Sequence, residues 1–530
     1  MQDMAGDGQP RRLRGGIDFP RNEQEYRRWF RTEEQARAFM ERLRWPNGFV
    51  CTECGSGGRK NKRQLWRCSG CQRQFSVTAG TIFDGGRLGP LAWLHACWLV
   101  VKGKDGYSAL DLQRQLGVRT YETAWAILQK LRRAMVVPGR EKLSGMVEVD
   151  DAFIGGEEPG VSGRETYTKS VVMVAVELGD TLPKRKRHAL GRLRLAIVPD
   201  QTGLSVEQFV LNSVREGSHL VTDGAAVFHS VAGPWPEDPK QVPRYRHTVH
   251  VQKGRRKDDP NRLPHVHRVI ALVKRWLLGT HQGAVRPRHL DAYLDEFVFR
   301  FNRKNLPRGF LFYRLVEQAL RTPQVPTRKL YLNVPARYVQ PVYSLLEHRG
   351  FPVVITGGWA VDGVAEQVMR VHGDLDFLIP ARSLQAARRY LMDAGFVPVD
   401  VAEGDQHQYV DDEHGLAVSL LPIEIVRGGS AVETLPDRRT FEYRPEDLDG
   451  QGVFDGYRLQ CVTADVQLRR RGLDRERDEE RHDLRVLRRV IAGDLPIVQP
   501  DADEVDTFPE VTEEDEVVSF MDEDDDHSEG

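Results

Sequence analysis

The stretch Val147–Gly156, VEVDDAFIGG, decides the fold of the first half of the chain. It is a short run of alternating apolar residues that ends on two acids and two glycines. This pattern is typical of a β-strand that carries a carboxylate into a site. Asp150 alone proves little, because an isolated acid after a strand is more often a turn or helix cap. Its meaning depends on the partners that the rest of the chain supplies.

The segments after this stretch supply two partners for Asp150. Residues 169–178 and 192–198 alternate like strands, residues 204–214 have helical periodicity, and residues 218–224 form a fourth strand that ends on Asp223. Three strands, a helix and a strand ending in an acid predict a ribonuclease-H-like α/β core with Asp150 beside Asp223. Two such carboxylates can hold two divalent ions for phosphodiester chemistry. A helix over 263–278 follows and brings His267 and Lys274, seven residues apart, onto one helical face.

Four cysteines precede this core in two C-x2-C pairs. Thirteen residues separate the first pair from the second, and the set comprises Cys51, Cys54, Cys68 and Cys71. Paired knuckles of this kind close a tetrahedral zinc site, so the sequence predicts a zinc ribbon holding a structural Zn²⁺. Basic and aromatic residues surround the cysteines, and Arg63 and Arg73 are candidate DNA contacts. The alternative is a ribbon whose metal only folds a small module.

Two helical stretches broken at Leu116–Val118 resemble a helix-turn-helix. The second stretch, residues 120–135, carries Lys130, Arg132 and Arg133, which are predicted to contact DNA. A helical linker that packs on its neighbours is the alternative. Residues 22–44, further upstream, have the pattern of one amphipathic helix.

The distribution of charge supports a polyanionic partner for the first part of the chain. Residues 1–330 carry 56 Lys and Arg against 34 Asp and Glu, and the remaining 200 residues carry 20 against 43. Basic side chains gain affinity by releasing counterions from phosphates. Arg255, Arg256 and Arg275 are further candidate DNA contacts. The histidines His247, His250 and His265 either contact phosphate as well or form a solvated basic surface.

Together these motifs resemble the bacterial insertion-sequence transposases of the IS1595 (ISXO2-like) type. The resemblance covers about residues 25–320 and rests on VEVDDAFIGG, VTDG, the ribbon and the block HVHRVIALVKRWLLGTHQGAV…HLDAYLDEFVFRFNRKN. It implies a DDE-type nuclease that cuts element ends and joins the 3′-hydroxyl to target DNA with Mg²⁺ or Mn²⁺. The implied catalytic residues are Asp150, Asp223, His267 and Lys274. Relatives carry Glu, Asn or His at the third position, and the histidine here favours softer ions such as Mn²⁺. A surface histidine that contacts phosphate is the alternative.

A second motif set begins after a proline-containing linker. Residues 352–358, PVVITGG, form a strand that runs into Gly357 and Gly358, and Asp374 and Asp376 follow in the segment HGDLDF. Glycines at a helix N-terminus let a triphosphate approach the backbone, and acids two apart on a strand share one face and can share a metal.

These features resemble the nucleotidyltransferases of the aminoglycoside and lincosamide resistance type, over about residues 334–490. The resemblance implies a polymerase-β-like α/β domain that transfers AMP from ATP or another nucleoside triphosphate to a hydroxyl. The family's third carboxylate is replaced by Ser419, which can serve neither as base nor as anionic ligand unless Glu424 takes that role. A degenerate domain that still folds is the alternative.

The sequence therefore predicts a multidomain α/β protein with seven segments. They are an N-terminal helical segment (1–45), the zinc ribbon (46–84), a helix-turn-helix-like DNA-binding region (85–140), the ribonuclease-H-like DDE-type catalytic domain (141–322), a linker (323–336), the nucleotidyltransferase-like domain (337–498) and a disordered acidic tail (499–530). Residues 501–530 contain 15 acids and no Lys or Arg, too few apolar groups to bury a core. The tail either masks the basic surface in cis or only keeps the protein soluble.

The expected function is that of a DNA transposase acting on double-stranded DNA, namely terminal inverted repeats and target. The first alternative is an AMP transferase for aminoglycosides or lincosamides with a DNA-binding N-terminal part. The second is a DNA-binding regulator with both sites inactive. The transposase is favoured, because its catalytic set is complete apart from a histidine that relatives also carry, whereas the transferase lacks a carboxylate. A homo-oligomer on DNA and a cytoplasmic, nucleoid-associated location in bacteria, with no membrane partner, are also expected.

Overall fold

The fold is that of a computed structural model of the full chain. It describes residues 13–103, 106–136, 140–155, 169–182, 187–198, 200–228, 231, 244–250, 263–281, 285–324, 330, 334–368, 372–399, 407–411, 414–426, 428–435, 438–471 and 478–493. The acidic tail, the candidate DNA contacts Arg255 and Arg256, and part of the predicted linker lie outside these residues.

The N-terminal segment forms two helices rather than the single predicted helix. They are α1 (Glu23–Trp29) and α2 (Glu33–Arg44). The break comes at Thr32, whose hydroxyl accepts the amide of Gln35 while the Gln35 side chain accepts the amide of Thr32. This reciprocal capping box starts a new helix, and its T-x-x-Q signature is visible in the sequence.

The ribbon follows as three short antiparallel strands in the order β1-β2-β3. Their bounds are β1 (Gly58–Lys60), β2 (Trp66–Cys68) and β3 (Gln74–Phe75). The rings of Phe49 and Trp66 stack at 5.1 Å between centroids. The small apolar cluster around them contains two of the cysteines, so this module has little core beyond its metal ligands.

Helices before and after the central sheet share one apolar core. They are α3 (Pro90–Lys102), α4 (Ala109–Leu116), α5 (Tyr121–Ala134) and α9 (Arg308–Arg321), together with α1 and α2. Phe312 of α9 packs against Tyr26, Phe30, Phe39 and Trp98. Gly117 ends α4 with φ +65°, a left-handed conformation that favours glycine. Helix α9, which follows the central sheet in the sequence, thus packs with the helices that precede that sheet.

The central sheet has five strands in the order β6-β5-β4-β7-β8. Their bounds are β4 (Met146–Ile154), β5 (Ser170–Leu182), β6 (Arg187–Val198), β7 (His219–Asp223) and β8 (Arg246–His250). β4, β5 and β6 pair antiparallel, whereas β7 is parallel to both β4 and β8. The first four strands agree with the sequence prediction, and β8 was not predicted.

The central sheet lies between two layers of helices, and successive side chains of β4 pack alternately on one layer and the other. Val147 and Val149 face α6 (Gly203–Ser213), while Ala152 and Ile154 face the opposite layer. The helices of that opposite layer are α7 (Pro264–His281) and α8 (Pro287–Asn302). Asp150 therefore shares its face with the residues that pack on α7.

The C-terminal part has its own sheet and core. After α10 (Val339–Glu347) its sheet follows the order β11-β12-β13-β10-β9-β17-β16, and β14 and β15 extend it from β13. The bounds are β9 (Val354–Thr356), α11 (Gly357–Val364), β10 (Leu375–Pro380), α12 (Ala381–Asp393), β11 (Val397–Val399), β12 (His407–Asp411), β13 (Leu416–Ile425), β14 (Ala431–Thr434), β15 (Thr440–Tyr443), α13 (Pro445–Leu448), β16 (Gly450–Phe454), β17 (Tyr457–Cys461), α14 (Ala464–Arg471) and α15 (Asp478–Ile491).

Two polar contacts join the C-terminal part to the central sheet and its helices. Arg337 forms an ion pair of 2.5 Å with Asp291 of α8, and Asn212 of α6 donates to Asp455 at 2.5 Å. In the described part of the chain, no helix is both long and apolar enough to cross a membrane.

Candidate zinc and catalytic sites

The four cysteines converge on one point. One ligand atom from each of Cys51, Cys54, Cys68 and Cys71 lies within 4.8 Å of the others. The Sγ atoms of Cys51 and Cys71 are 3.6 Å apart, and those of Cys54 and Cys68 are 3.4 Å apart. Four sulfurs at this spacing fit a tetrahedral zinc ion.

The surroundings of the cysteines also suit metal ligation. The amides of Glu53 and Cys71 donate to the sulfurs of Cys51 and Cys68, each at 3.4 Å. A hydrogen bond from Ser56 lowers the pKa of the Cys54 thiol to about 6, while burial raises the pKa of the Cys51 thiol to about 12. Amide donors of this kind stabilise thiolates, which is the form that binds zinc.

The two candidate DNA contacts on the ribbon lie on its surface. Arg63 is exposed in the turn between β1 and β2. Arg73 is also exposed, and its guanidinium pairs with Glu53 at 3.0 Å. Both side chains are therefore accessible to a phosphate, although Arg73 must exchange a carboxylate for it.

Two of the three basic residues predicted to contact DNA from α5 are buried, so that part of the prediction is wrong. Lys130 is 7% exposed and donates to the carbonyl of Asp84 at 3.0 Å. Arg132 is 2% exposed and pairs with Glu296 of α8 at 2.8 Å. The third, Arg133, is half-buried. The exposed part of α5 is its first turn, Tyr121–Thr123, and Arg119 just before it is exposed too.

The central candidate site lies where β7 ends beside the middle of β4. The parallel pairing of the two strands brings Glu148 opposite Val221, so two residues further along each strand Asp150 and Asp223 reach the same level. Adjacent strands are about 4.8 Å apart. Asp150 is 8% exposed, and Asp223 is half-buried and accepts the amide of Ala225 at 2.9 Å.

His267 reaches this pair from α7. Its Nε2 atom lies 3.0 Å from Oδ2 of Asp150, and its side chain is 34% exposed. Asp150 therefore has one oxygen on the histidine, and its other oxygen accepts the amide of Asp151 at 2.9 Å. An imidazole and a carboxylate at this distance can share an ion or a proton.

The donor set fits divalent ions in its chemistry, since it combines two carboxylates with an imidazole. In the described residues, however, only the cysteines have ligand atoms that all group within 4.8 Å. Asp150, Asp223 and His267 are neighbours that do not form such a group in this structure.

The remaining predicted residues of α7 lie outside this contact. Lys274 and Arg275 are exposed on α7. Lys274 is seven residues beyond His267, which is about 10 Å along the helix axis. Lys274 therefore lies along the helix from His267, beside the acids.

Two histidines and one acid have roles that the sequence did not indicate. His250 on β8 pairs in register with Asp223, and His265 is buried, with its Nδ1 atom 2.7 Å from Glu148. Asp151, the neighbour of Asp150, lies on the other face of the sheet and accepts a hydrogen bond from Gln201 at 2.7 Å. The alternation of β4 contained the signal for Glu148 and Asp151, because residues two apart share a face.

The C-terminal candidate site is built on the turn from β9 into α11. Gly357 has φ +68°, and a Cβ there would lie 2.0 Å from Oδ2 of Asp376. The position therefore requires glycine both for its backbone and for the close approach of the carboxylate. Asp376 lies on β10 and Asp374 just before it, and both are half-buried, as is Gly358 at the start of α11.

Ser419, predicted to take the place of the family's third carboxylate, lies on the strand next to Asp376. Ser419 on β13 pairs in parallel register with Asp376 and is 6% exposed. Glu424 does not compensate, because it is exposed and five residues from Ser419, which places it on the opposite face of the strand.

A cavity of about 170 Å³ opens beside these residues. Gly357 and Asp376 line one side, and Glu433, Tyr443 and Arg470 line another. Glu433 accepts Tyr443 at 2.7 Å and Arg470 at 3.1 Å. Burial raises the pKa of Tyr443 well above its usual range. Glu433 was not predicted from the sequence, because Arg470, which pairs with it, is 37 residues away.

Comparisons with known protein families divide the chain in the same way. Residues 31–74 match the transposase zinc-ribbon domain, residues 142–302 the ISXO2-like transposase domain, and residues 338–487 the aminoglycoside-2″-adenylyltransferase family. The resemblances drawn from the sequence are therefore confirmed for both parts.

Two sequence relatives agree with these matches, one for each part of the chain. A protein described as an uncharacterized protein in transposable element ISH50 of Halobacterium salinarum is 27% identical over 284 residues, 51% of this chain and 91% of the relative. A lincosamide resistance protein of Staphylococcus haemolyticus is 22% identical over 136 residues, 26% of this chain and 83% of the relative. A solved lincosamide adenylyltransferase with bound lincomycin is 20% identical, covers 30% of this chain and 99% of its own, and has a TM-score of 0.26.

Proposed function

We propose that this chain, a transposase with an appended nucleotidyltransferase-like domain, cleaves insertion-sequence ends and joins them to target DNA at the site formed by Asp150, Asp223 and His267. The observation that carries the proposal is the 3.0 Å contact of His267 with Asp150, which lies on β4 level with Asp223 on β7. The strand order 6-5-4-7-8, with the acids on the first and fourth strands in sequence, supports a ribonuclease-H-like core.

Asp150 and Asp223 would hold Mg²⁺ or Mn²⁺, and His267 would complete the site. Divalent ions at such a carboxylate pair activate the attacking oxygen and stabilise the leaving oxygen of a phosphodiester. The two carboxylates would be held in place by strands β4 and β7, and His267 would supply an uncharged ligand from helix α7. Lys274 and Arg275, exposed on α7, would neutralise phosphates of the bound strand.

The N-terminal part would bind the DNA as a zinc ribbon followed by a helix-turn-helix-like pair, α4 and α5. The exposed first turn of α5, rather than its buried second half, would meet a groove, since recognition helices contact bases with their N-terminal residues. Arg63 and Arg73 on the ribbon would contact phosphates. The seven proposed segments of the chain have their boundaries after residues 45, 84, 140, 322, 336 and 498. The partner is double-stranded DNA, and a homo-oligomer would hold two ends together.

The experiment is a cleavage and joining assay with the element's terminal repeats and Mn²⁺. Asp150→Ala should abolish both activities. Asp151→Asn is the matched control, because this neighbouring acid lies on the other face of the sheet and bonds to Gln201. Full joining by a folded Asp150→Ala protein would show that the assignment of the site is wrong.

A second function is proposed for the C-terminal domain, where Gly357, Gly358, Asp374 and Asp376 would bind a nucleoside triphosphate and its metal. The observation that favours it is that residue 357 must be glycine, because a Cβ there would collide with the carboxylate of Asp376. Ser419 beside Asp376 leaves the site without a third anionic ligand, so transfer of AMP would be slow. ATP consumption with an aminoglycoside or a lincosamide, lost in Asp376→Asn, tests this activity. No nucleotide binding by the wild-type protein would show the domain to be degenerate.

A further inference from the structure

Glu148 is a buried carboxylate on the same face of β4 as Asp150. Its side chain is almost fully enclosed, with the residue 3% exposed. Oε2 accepts the backbone amides of His265 at 3.0 Å and Val266 at 2.8 Å, and Oε1 lies 2.7 Å from Nδ1 of His265. All three partners belong to the first turn of α7, more than a hundred residues away in the chain.

Among the residues that the structure describes, no side chain next to this end of helix α7 caps it. Its first residue is Pro264, which has no amide to satisfy, and Leu263 before it has no polar side chain. The amides of the second and third helical residues, His265 and Val266, would otherwise be buried donors without an acceptor inside the helix. Glu148 accepts both, and its negative charge faces the positive end of the helix dipole.

The contact of Glu148 with the first turn of α7 also fixes the position of the helix along strand β4. Glu148 holds the second and third residues of the helix, and two residues further along the strand Asp150 meets the fourth, His267. The amide of His267 makes the first hydrogen bond within the helix, to the carbonyl of Leu263. The strand spacing from Glu148 to Asp150 is therefore matched to the helical spacing from His265 to His267.

We propose that Glu148 is a positioning residue, which holds the N-terminus of α7 so that His267 reaches Asp150. This inference rests on the proposed function of Asp150 and His267 and adds a residue that acts only through them. It also identifies His265 as the partner of Glu148 rather than as a contact for phosphate.

Three substitutions of Glu148 separate positioning from simple stabilisation, in the DNA cleavage assay with Mn²⁺ on the full chain. Glu148→Gln keeps an acceptor for the two amides at the same length and should cleave near the wild-type rate. Glu148→Asp keeps the charge and the acceptors but is one methylene shorter, so it should fold and yet lose cleavage as the helix shifts. Glu148→Ala should lose about 10–100-fold, the usual effect of removing a group that orients a ligand.

A double-variant test shows whether the effect passes through His267. If Glu148 acts by placing this histidine, adding Glu148→Ala or Glu148→Asp to His267→Ala should cause no further loss of the cleavage rate. Glu177→Ala is the matched control. Glu177 also accepts a backbone amide, that of Ser144, and an arginine, but on the neighbouring strand away from the site. It should leave the cleavage rate unchanged at temperatures where the protein is folded.

The outcomes distinguish this inference from the proposed function. If folded Glu148→Asp cleaves like the wild type, or if its loss multiplies with that of His267→Ala, Glu148 is only a structural residue and the inference fails. If Glu148→Ala does not fold, the cleavage rates of Glu148→Gln and Glu148→Asp still test the inference, since only the Asp variant should lose cleavage. If His267→Ala itself cleaves at the wild-type rate, the catalytic assignment of His267 is wrong, and the inference fails with it.

Discussion

His267 Nε2 lies 3.0 Å from Asp150 Oδ2, so helix α7 contributes a third side chain to the candidate site formed by strands β4 and β7. The contact joins an imidazole, which suits softer ions, to a carboxylate, which suits hard ones. The identity of residue 267 should therefore decide which metal supports cleavage.

The first prediction concerns this choice of metal. In His267→Glu a third carboxylate joins Asp150 and Asp223, so the Mg²⁺ concentration for half-maximal cleavage should fall relative to that for Mn²⁺. His267→Gln, similar in size but uncharged, serves as the control and should not improve the use of Mg²⁺. An unchanged ratio of the two metals in the Glu variant would argue that residue 267 is not a ligand.

The second prediction concerns zinc in the ribbon. Cys68→Ser removes one of four converging sulfurs, so the purified protein should lose its one equivalent of zinc, and protease should cut within residues 46–84. Elemental analysis and limited proteolysis measure these effects. Cys461→Ala, in the core of the C-terminal domain, should keep its zinc. Full zinc content in Cys68→Ser would contradict the assigned ligand set.

The third prediction concerns the buried charges that join α5 to α8. Glu296, 0% exposed, lies between Arg132 at 2.8 Å and Arg300 at 2.8 Å. Glu296→Gln leaves two buried cations without their anion, so the N-terminal helical core should lose about 3–5 kcal/mol. Denaturant unfolding followed by tryptophan fluorescence measures the loss.

The control for that prediction is an ion pair of the same type nearer to solvent. Arg114 pairs with Asp111 at 3.5 Å, and their side chains are 68% and 57% exposed, so Arg114→Gln should cost at most about 1 kcal/mol. Equal losses in the two variants would mean that burial does not govern the energy of the Glu296 network.

The buried network also shows where sequence reasoning ends. The strands β4 to β7 and the helix α7 followed from alternation and periodicity, because an apolar face must be buried wherever the chain packs. The strand β8 was missed, because it carries Arg246, His247 and His250 and little apolar alternation. Arg132 was taken for a DNA contact because its partner, Glu296, is 164 residues away in the sequence.

The candidate sites divide in the same way. The cysteines, Asp150 and Asp223 were predicted from local patterns, and the family resemblance added His267 to the catalytic set. Alternation along β4 places Glu148 on the face of Asp150, but its partner His265 is 117 residues away, and no local pattern indicates it. The burial of Glu148 and of His265 becomes visible only when β4 and α7 meet.

The fourth prediction concerns pH. Burial, with Arg288 and Arg286 nearby, lowers the pKa of His289 to about 4 from an ordinary value of 6.5. The folded protein therefore prefers the neutral ring, so the stability from this group is present above pH 6.5 and is lost as the pH falls toward 4. In His289→Gln the midpoint of thermal unfolding should fall less between pH 7 and pH 5 than in the wild type. His348→Gln, at an exposed position, should keep the wild-type pH dependence. Identical pH dependence in the His289 variant would contradict the prediction.

The last prediction concerns the serine beside Asp376. In Ser419→Asp a carboxylate is placed on the strand next to Asp376, in register and about 4.8 Å away between backbones. Without metal, three neighbouring acids repel one another, so the variant should be less stable than the wild type. With Mg²⁺ and ATP the order should reverse, because binding to the folded state alone stabilises it, by about 2.7 kcal/mol at a ligand concentration 100 times Kd.

Thermal unfolding of the C-terminal domain, with and without Mg²⁺ and ATP, measures this reversal, and ATP consumption with aminoglycosides or lincosamides measures any gain of transfer. Ser419→Asn controls for size without charge and should show neither effect. Adding Asp376→Asn to Ser419→Asp should remove both, because the new carboxylate needs its neighbour to hold the ion. If Ser419→Asp gains no stability from Mg²⁺ and ATP, the cavity beside Gly357 does not bind a metal–nucleotide complex, and the second function proposed for this chain is wrong.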